Sequence, residues 1–168
     1  MTPNFSTWAL WKERADLDGL QLPGVYALAI SDRDIAGAAF SWCEEIVYVG
    51  MSNAKGGLKS RLKKFDNTIR GKGGHGGADR VRVKHQDYST LVPRLFVSVW
   101  TFKCDVDSAH PSDLRTMGEV AMSEYECFAC FAQKFGCLPE FNDKRRSPKR
   151  ESGEPNGTSN GSQPFRSE

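Results

Sequence analysis

Three stretches of the chain are dense in β-branched and aromatic residues: GVYALAI at 24–30, EIVYVG at 45–50 and RLFVSVWTF at 94–102. Such residues fit the pleated, half-buried surface of a sheet, so each stretch predicts a strand. Helical spacing governs other segments. After the Gly56-Gly57 pair, Leu58, Leu62 and Phe65 recur on one helical face, which predicts a helix over 58–65. A longer helix is predicted over 114–135, with Ser112 placed to cap its start, Gly136 to end it and Pro139 to prevent its continuation. A further helix is expected near 5–16, after which Leu22-Pro23-Gly24 turns the chain into the first strand. The expected fold class is mixed α/β (α+β), a small antiparallel sheet flanked by helices, without internal repeats.

The length, 168 residues with 39% hydrophobic positions, suits one domain with a core that needs no disulfides. Five cysteines, Cys43, Cys104, Cys127, Cys130 and Cys137, are an odd number and widely spaced, which fits a reducing cytosol. No apolar run approaches the roughly 18 residues of a membrane span, and the N-terminus lacks the pattern of a secretory leader. The formal charge of +2 conceals a strong segregation. Residues 55–84 hold ten Lys and Arg against Asp66 and Asp79, a local charge of +8, while residues 1–54 and 85–142 each sum to −4. A cationic belt of this kind is the footprint expected where a face meets a polyanion such as DNA, although a solvated basic helix has the same composition. Lys59, Lys63, Lys64, Arg70, Lys72, Arg80 and Arg82 are the candidate phosphate contacts. From Asp143 onward Ser, Gly, Pro, Asn and charge leave almost nothing to bury, which predicts a disordered basic and polar tail over 143–168. Its KRRSPKR cluster suits nucleic-acid contact, nuclear import or plain solubility.

Two carboxylates in the long helix are separated by the helical wheel. Advancing about 100° per residue from Leu114, Met117, Val120, Phe128, Phe131 and Phe135 fall between about 240° and 320°, with Glu124 near 280° in the middle of that stripe. Glu119 and Glu126, near 140° and 120°, project the other way. A carboxylate on a buried stripe needs compensation, either by a divalent cation, for which carboxylate oxygen suits Mg²⁺ or Mn²⁺, or by a buried Arg or hydroxyl. On the basic helix Arg61 lies about 40° from Phe65, at the edge of the apolar face. A planar, permanently charged guanidinium there suits a phosphate oxyanion, or merely covers the core with its stem.

Gly24-Val25-Tyr26 on one strand, Tyr48-Val49-Gly50 on the next, Arg61 on the following helix, Glu124 on a later helix and Asn142 in the closing LPEFN segment form an ordered set. In this order the chain resembles the GIY-YIG nuclease superfamily over residues 22–142. The resemblance implies a three-stranded antiparallel sheet flanked by helices, preceded by a helical extension over 1–21, and hydrolysis of DNA phosphodiesters with one Mg²⁺ or Mn²⁺ held by Glu124. It further implies that Tyr26 activates or orients the attacking water, Tyr48 positions the phosphate, Arg61 stabilises its charge and Asn142 braces the site. His75, in the glycine cluster GKGGHGGADR, suits a donor near the scissile phosphate or an idle loop residue. Two departures from the simplest pattern are the long connection SDRDIAGAAFSWCEE and that glycine cluster, both expected to reshape the DNA-facing surface. A recognition partner or a homodimer would supply any high sequence specificity, and a cytoplasmic, nucleoid-associated location is expected. Two other classes remain open: a nucleic-acid-binding module that has lost activity, and a zinc-binding interaction protein using Cys104, Cys127, Cys130 and Cys137. Cys127 and Cys130 have mid-helix spacing, which favours small buried side chains over a zinc knuckle.

Overall fold

The computed structural model describes residues 3–147. Four antiparallel strands, β1 (Ala9–Leu10), β2 (Gly24–Ile30), β3 (Ile46–Ser52) and β4 (Leu95–Thr101), form one sheet in the order β1-β4-β2-β3. Helices α1 (Gly57–Ile69), α2 (Gly76–Lys84), α3 (Tyr88–Leu91) and α4 (Pro111–Phe135) complete a mixed α+β fold. Side-chain alternation along β2 divides the core in two. Tyr26 and Leu28 face Leu58, Leu62, Phe65 and Val81 of α1 and α2, whereas Val25, Ala27 and Ala29 face Val120, Cys127 and Phe131 of α4. Both faces of β2 are therefore buried, which explains a run too continuously apolar to alternate.

The sheet has one strand more than the three expected, because the predicted helix near 5–16 does not form as such. Its first part pairs Ala9 and Leu10 with Val97 and Phe96, and a 3₁₀ turn over Trp11–Asp16 follows. The reason lies in the two tryptophans. Trp8 belongs to the core beneath α4 and Trp11 to the core beneath α1, and residues three apart on a helix would share a face. An extended segment along the free edge of β4 sends them to opposite sides of the sheet.

Other boundaries shift for local reasons. Helix α4 begins at Pro111 with His110 as its cap, the His110 Nδ1 accepting the Ser112 N–H, so Ser112 lies inside the helix. The glycine cluster is only partly loop: His75 caps α2, which carries Gly76 to Lys84 as helix. The long connection before β3 packs Phe40 against Phe5, stacked at 4.1 Å, and sets Trp42 edge-on to Phe131 of α4, closing the second core. Residues 143–147 form turns that bury Ser147, so order extends past the predicted boundary at 143, and residues 148–168 of the expected tail lie outside the described residues. No helix among the described residues is long and apolar enough to cross a membrane.

Candidate active site

Tyr26 on β2 stands directly opposite Gly50 on β3. A Cβ at Gly50 would lie 2.7 Å from the Tyr26 ring and hydroxyl and 2.8 Å from the Tyr48 ring, so the glycine is the space into which the tyrosines fit. Tyr26 is 0% exposed and Tyr48 7%, their ring centroids 5.9 Å apart. His75 is not an exposed loop residue. It is 3% exposed, packed edge-on to Phe65 at 5.0 Å and to Tyr48 at 5.9 Å, with Nε2 2.9 Å from the Tyr26 hydroxyl. Its Nδ1 accepts the Ala78 N–H at 3.2 Å. A backbone N–H only donates, so Nδ1 carries no proton and the neutral ring holds its hydrogen on Nε2, directed at Tyr26. Gly77, just beyond, lets α2 approach: a Cβ there would stand 2.3 Å from the Tyr48 ring.

Arg61 extends from the second turn of α1 toward the two tyrosines, near enough for its charge to act on both hydroxyls. Its Nε is buried and has no acceptor among the described residues. Beside it opens a cleft of about 250 Å³ lined by Met51, Asn53, Ser60, Arg61 and Lys64. The Asn53 Nδ2 donates to the Met117 carbonyl of α4 at 2.9 Å, and its Oδ1, buried, has no donor among the described residues.

Glu124 reaches this group from the opposite layer by way of the free edge of β3. Alternate residues of that strand present their backbone outward, and several of these groups are met. The Phe141 N–H donates to the Val47 carbonyl at 2.9 Å. Asn142 Oδ1 accepts the Val49 N–H and its Nδ2 donates to the Val49 carbonyl, both at 2.8 Å. The Glu124 carboxylate lies near the Met51 N–H, which favours its charged form. Asn142 thus braces the strand that carries Tyr48 and Gly50, and its amide is fully used on backbone. Glu124 is half-buried at the edge of the helix face that meets the sheet, not in its middle: Val120, Ser123, Cys127 and Phe131 are the buried positions, while Leu114, the origin of the wheel, is exposed. Glu126 is exposed on the far side, as expected.

Electrostatics follow from burial. Burial pushes the Glu124 carboxyl above its usual range, opposed by Arg61 and the Met51 N–H. Burial, with Tyr48 adding to it, pushes Tyr26 well above an ordinary phenol, and Arg61 offsets this only in part. Burial also raises Tyr48, with the Arg61 charge opposing it. The phenol nearer the surface is the less perturbed of the two.

Among the described residues no three His, Cys, Asp or Glu side chains converge as a metal-ligand group. Mg²⁺ binds through one or two carboxylates while keeping waters and substrate phosphates, so a site with one carboxylate suits it and an all-protein cage is not required. Glu124 fits that role, being a carboxylate that burial disfavours and that has one protein cation near it. The cysteines do not gather as a zinc set among the described residues, and Cys127 is buried against the sheet, its thiol pushed up to about 12 by burial.

The cationic belt resolves into two kinds of residue. Lys59, Lys63, Lys64 and Lys72 are exposed. Arg70 instead pairs with Asp66 at 2.8 Å and lies over the Tyr88 ring, Arg82 caps α1 through the Ile69 carbonyl at 3.3 Å, and Arg80 bonds the Gly76 carbonyl at 3.4 Å. Three of the expected phosphate contacts therefore have structural work. Asp66 itself was not singled out by the sequence: buried, it accepts from Trp11 Nε1 at 2.8 Å and Tyr88 at 2.9 Å and pairs with Arg14 at 3.1 Å. Gly77 and the Met51 N–H were likewise unmarked, the only signal being a second Gly-Gly pair. Comparison with family models, curated proteins and solved structures returned no match to this chain.

Proposed function

We propose that the chain is a metal-dependent DNA endonuclease of GIY-YIG type. What supports the reading is the gathering of Tyr26, Tyr48, His75 and Glu124 about Arg61, drawn from two strands, two helices and a helix cap, with Arg61 itself lining a small cleft and its buried Nε lacking an acceptor among the described residues. A phosphate oxygen is the natural partner for that nitrogen, and Lys64 on the cleft wall adds a second cation. A Mg²⁺ or Mn²⁺ on Glu124 would neutralise charge on the phosphate and polarise water.

The chain's own residues order one of the two phenols. His75 Nε2 donates to Tyr26, which is 0% exposed, while Tyr48 beside it is 7% exposed. The roles expected from the resemblance are therefore assigned the other way: Tyr48, the less deeply buried phenol, orients the water, and Tyr26 backs it. Arg61 sets its charge beside both phenols and the phosphate.

The test is incubation with plasmid, flap, branched and single-stranded DNA in Mg²⁺, Mn²⁺ or chelator. Metal-dependent cleavage of at least one substrate is expected. Binding without cleavage on every substrate, by folded protein, would assign the chain instead to the nucleic-acid-binding class.

A further inference from the structure

Helix α4 has a second face that the fold does not use. Its buried positions centre near about 220° on the wheel, and the opposite stripe, between about 0° and 80°, carries Leu114, Gly118, Met122, Tyr125 and Ala129. Leu114, Met122 and Tyr125 are 52%, 57% and 72% exposed, and they are three of the five large hydrophobic side chains exposed among the described residues. A solvent-facing helix normally carries polar side chains along that line.

We infer that this stripe is a homodimer surface on which a second copy of the chain docks through its own α4, antiparallel and about a twofold axis near residues 120–121. Two observations commit it to a second copy. The first is charge. Arg115 and Glu126 both flank the stripe on one side, and among the described residues neither has an ion-pair partner, Glu126 accepting only a weak bond from the Cys130 thiol at 3.6 Å. In an antiparallel pair like flanks meet, so an axis midway between 115 and 126 sets Arg115 beside Glu126 of the second copy, twice by symmetry. The second is Gly118. Glycine is a poor residue for the interior of a 25-residue helix, and a Cβ at Gly118 would meet nothing within 4 Å, so no contact inside the chain calls for it. The close approach of a second helix does, because the distance between helix axes is set by the side chains at the crossing.

The arrangement is self-complementary and leaves both Glu124 side chains on the same side of the dimer, since they lie on like flanks. It does not depend on the nuclease reading, and its test needs no activity. A single helix pair lies at the small end of specific interfaces, about 1,200 Å², so association is expected at micromolar concentration.

Sedimentation equilibrium of the full chain, from about 1 to 100 μM, should approach twice the 18.7 kDa chain mass. Met122→Glu with Tyr125→Glu should give a monomer with unchanged circular dichroism and melting temperature, both positions being solvent-exposed. Gly118→Leu should do the same while raising the melting temperature of the monomer, an opposition that a purely internal role for Gly118 would not produce. Arg115→Glu and Glu126→Arg should each weaken the dimer at least tenfold, and the two together should restore it. A full chain that remains monomeric over this range overturns the inference, as does a dimer indifferent to these substitutions.

Discussion

Burial works against the ionised form of Glu124. Its folded pKa lies above its unfolded value, so its contribution to stability is present below the ordinary carboxylate range and is lost as pH rises through the folded value. Glu124→Gln should therefore melt higher than the parent protein at pH 7 without metal, and the difference should vanish toward pH 4. On the proposed function, the same change should lower cleavage about 100-fold or more while leaving DNA binding intact, and Glu126→Gln should match the parent in all three measurements. A reversed ranking of the two variants would misplace the metal site. Asp66 has the opposite sign. Burial pushes its carboxyl up, but Arg70, Trp11, Arg14 and Tyr88 together overcome this and hold it below the usual range. Its stabilisation is present at neutral pH and is lost as pH falls through the folded value. Asp66→Asn should destabilise by about 3 kcal/mol at pH 7, because the amide keeps one oxygen for Trp11 and Tyr88 but sets an NH₂ donor, without charge, against the Arg14 and Arg70 guanidinium groups that Oδ2 had accepted from. Urea titrations should find that penalty shrinking below about pH 4.

At the scale of elements, the edge of β3 decides how the site is held. An exposed edge strand carries unpaired backbone groups that invite pairing with another chain. Here the Phe141 backbone and the Asn142 amide meet groups of Val47 and Val49, and the Glu124 carboxylate lies near Met51, so one strand edge anchors the C-terminal turn beside the acidic residue. Asn142→Ala would leave the Val49 N–H and carbonyl without partners. A loss of about 2 kcal/mol is expected, together with faster hydrogen exchange at Val49. A loss of cleavage with stability and exchange unchanged would give Asn142 a direct chemical part instead. The approach of α2 to β3 is similarly exacting. Gly77→Ala drives a methyl group into the Tyr48 ring and should destabilise by about 1–3 kcal/mol, as overpacking does, with a change in the near-ultraviolet tyrosine signal.

Across the whole molecule, the +8 of residues 55–84 divides between solvent and fold. Lys59 and Lys63 line a groove with Lys12 on one side of α1, and Lys64 lines the cleft beside Arg61. On the proposed function, replacing Lys59, Lys63, Lys64 or Lys72 should reduce the slope of log K against log salt by about 0.9 each, with no change in melting temperature. Replacing Arg70 or Arg82 should do the reverse, lowering stability first. Equal effects on the salt slope from all six would mean that the guanidinium contacts within the fold are dispensable.

Much of this architecture was legible in the residues, and what was not has a common cause. Strands β2, β3 and β4 and helices α1 and α4 announce themselves locally, because β-branched runs, helical spacing and terminal glycines act over a few residues. Arg61 and Glu124 were separable from their charged neighbours by the same periodicity. The fourth strand was hidden because Trp8 and Trp11 look like one helical face until a sheet edge pulls them to opposite sides. His75 could be read either as a donor near a phosphate or as an idle loop histidine, since its burial depends on Phe65, Tyr48 and Tyr26, which are remote in sequence. Arg70 and Arg82 count as free charge until Asp66 and the end of α1 are found beside them. Short-range pattern thus determined most of the elements that form and which residues are candidates for chemistry. Tertiary structure alone decided which charges are already satisfied, which tyrosine is sealed completely and how Glu124 comes near Arg61, because partner identity, burial and the field at each group are set by chain segments that sequence distance does not relate.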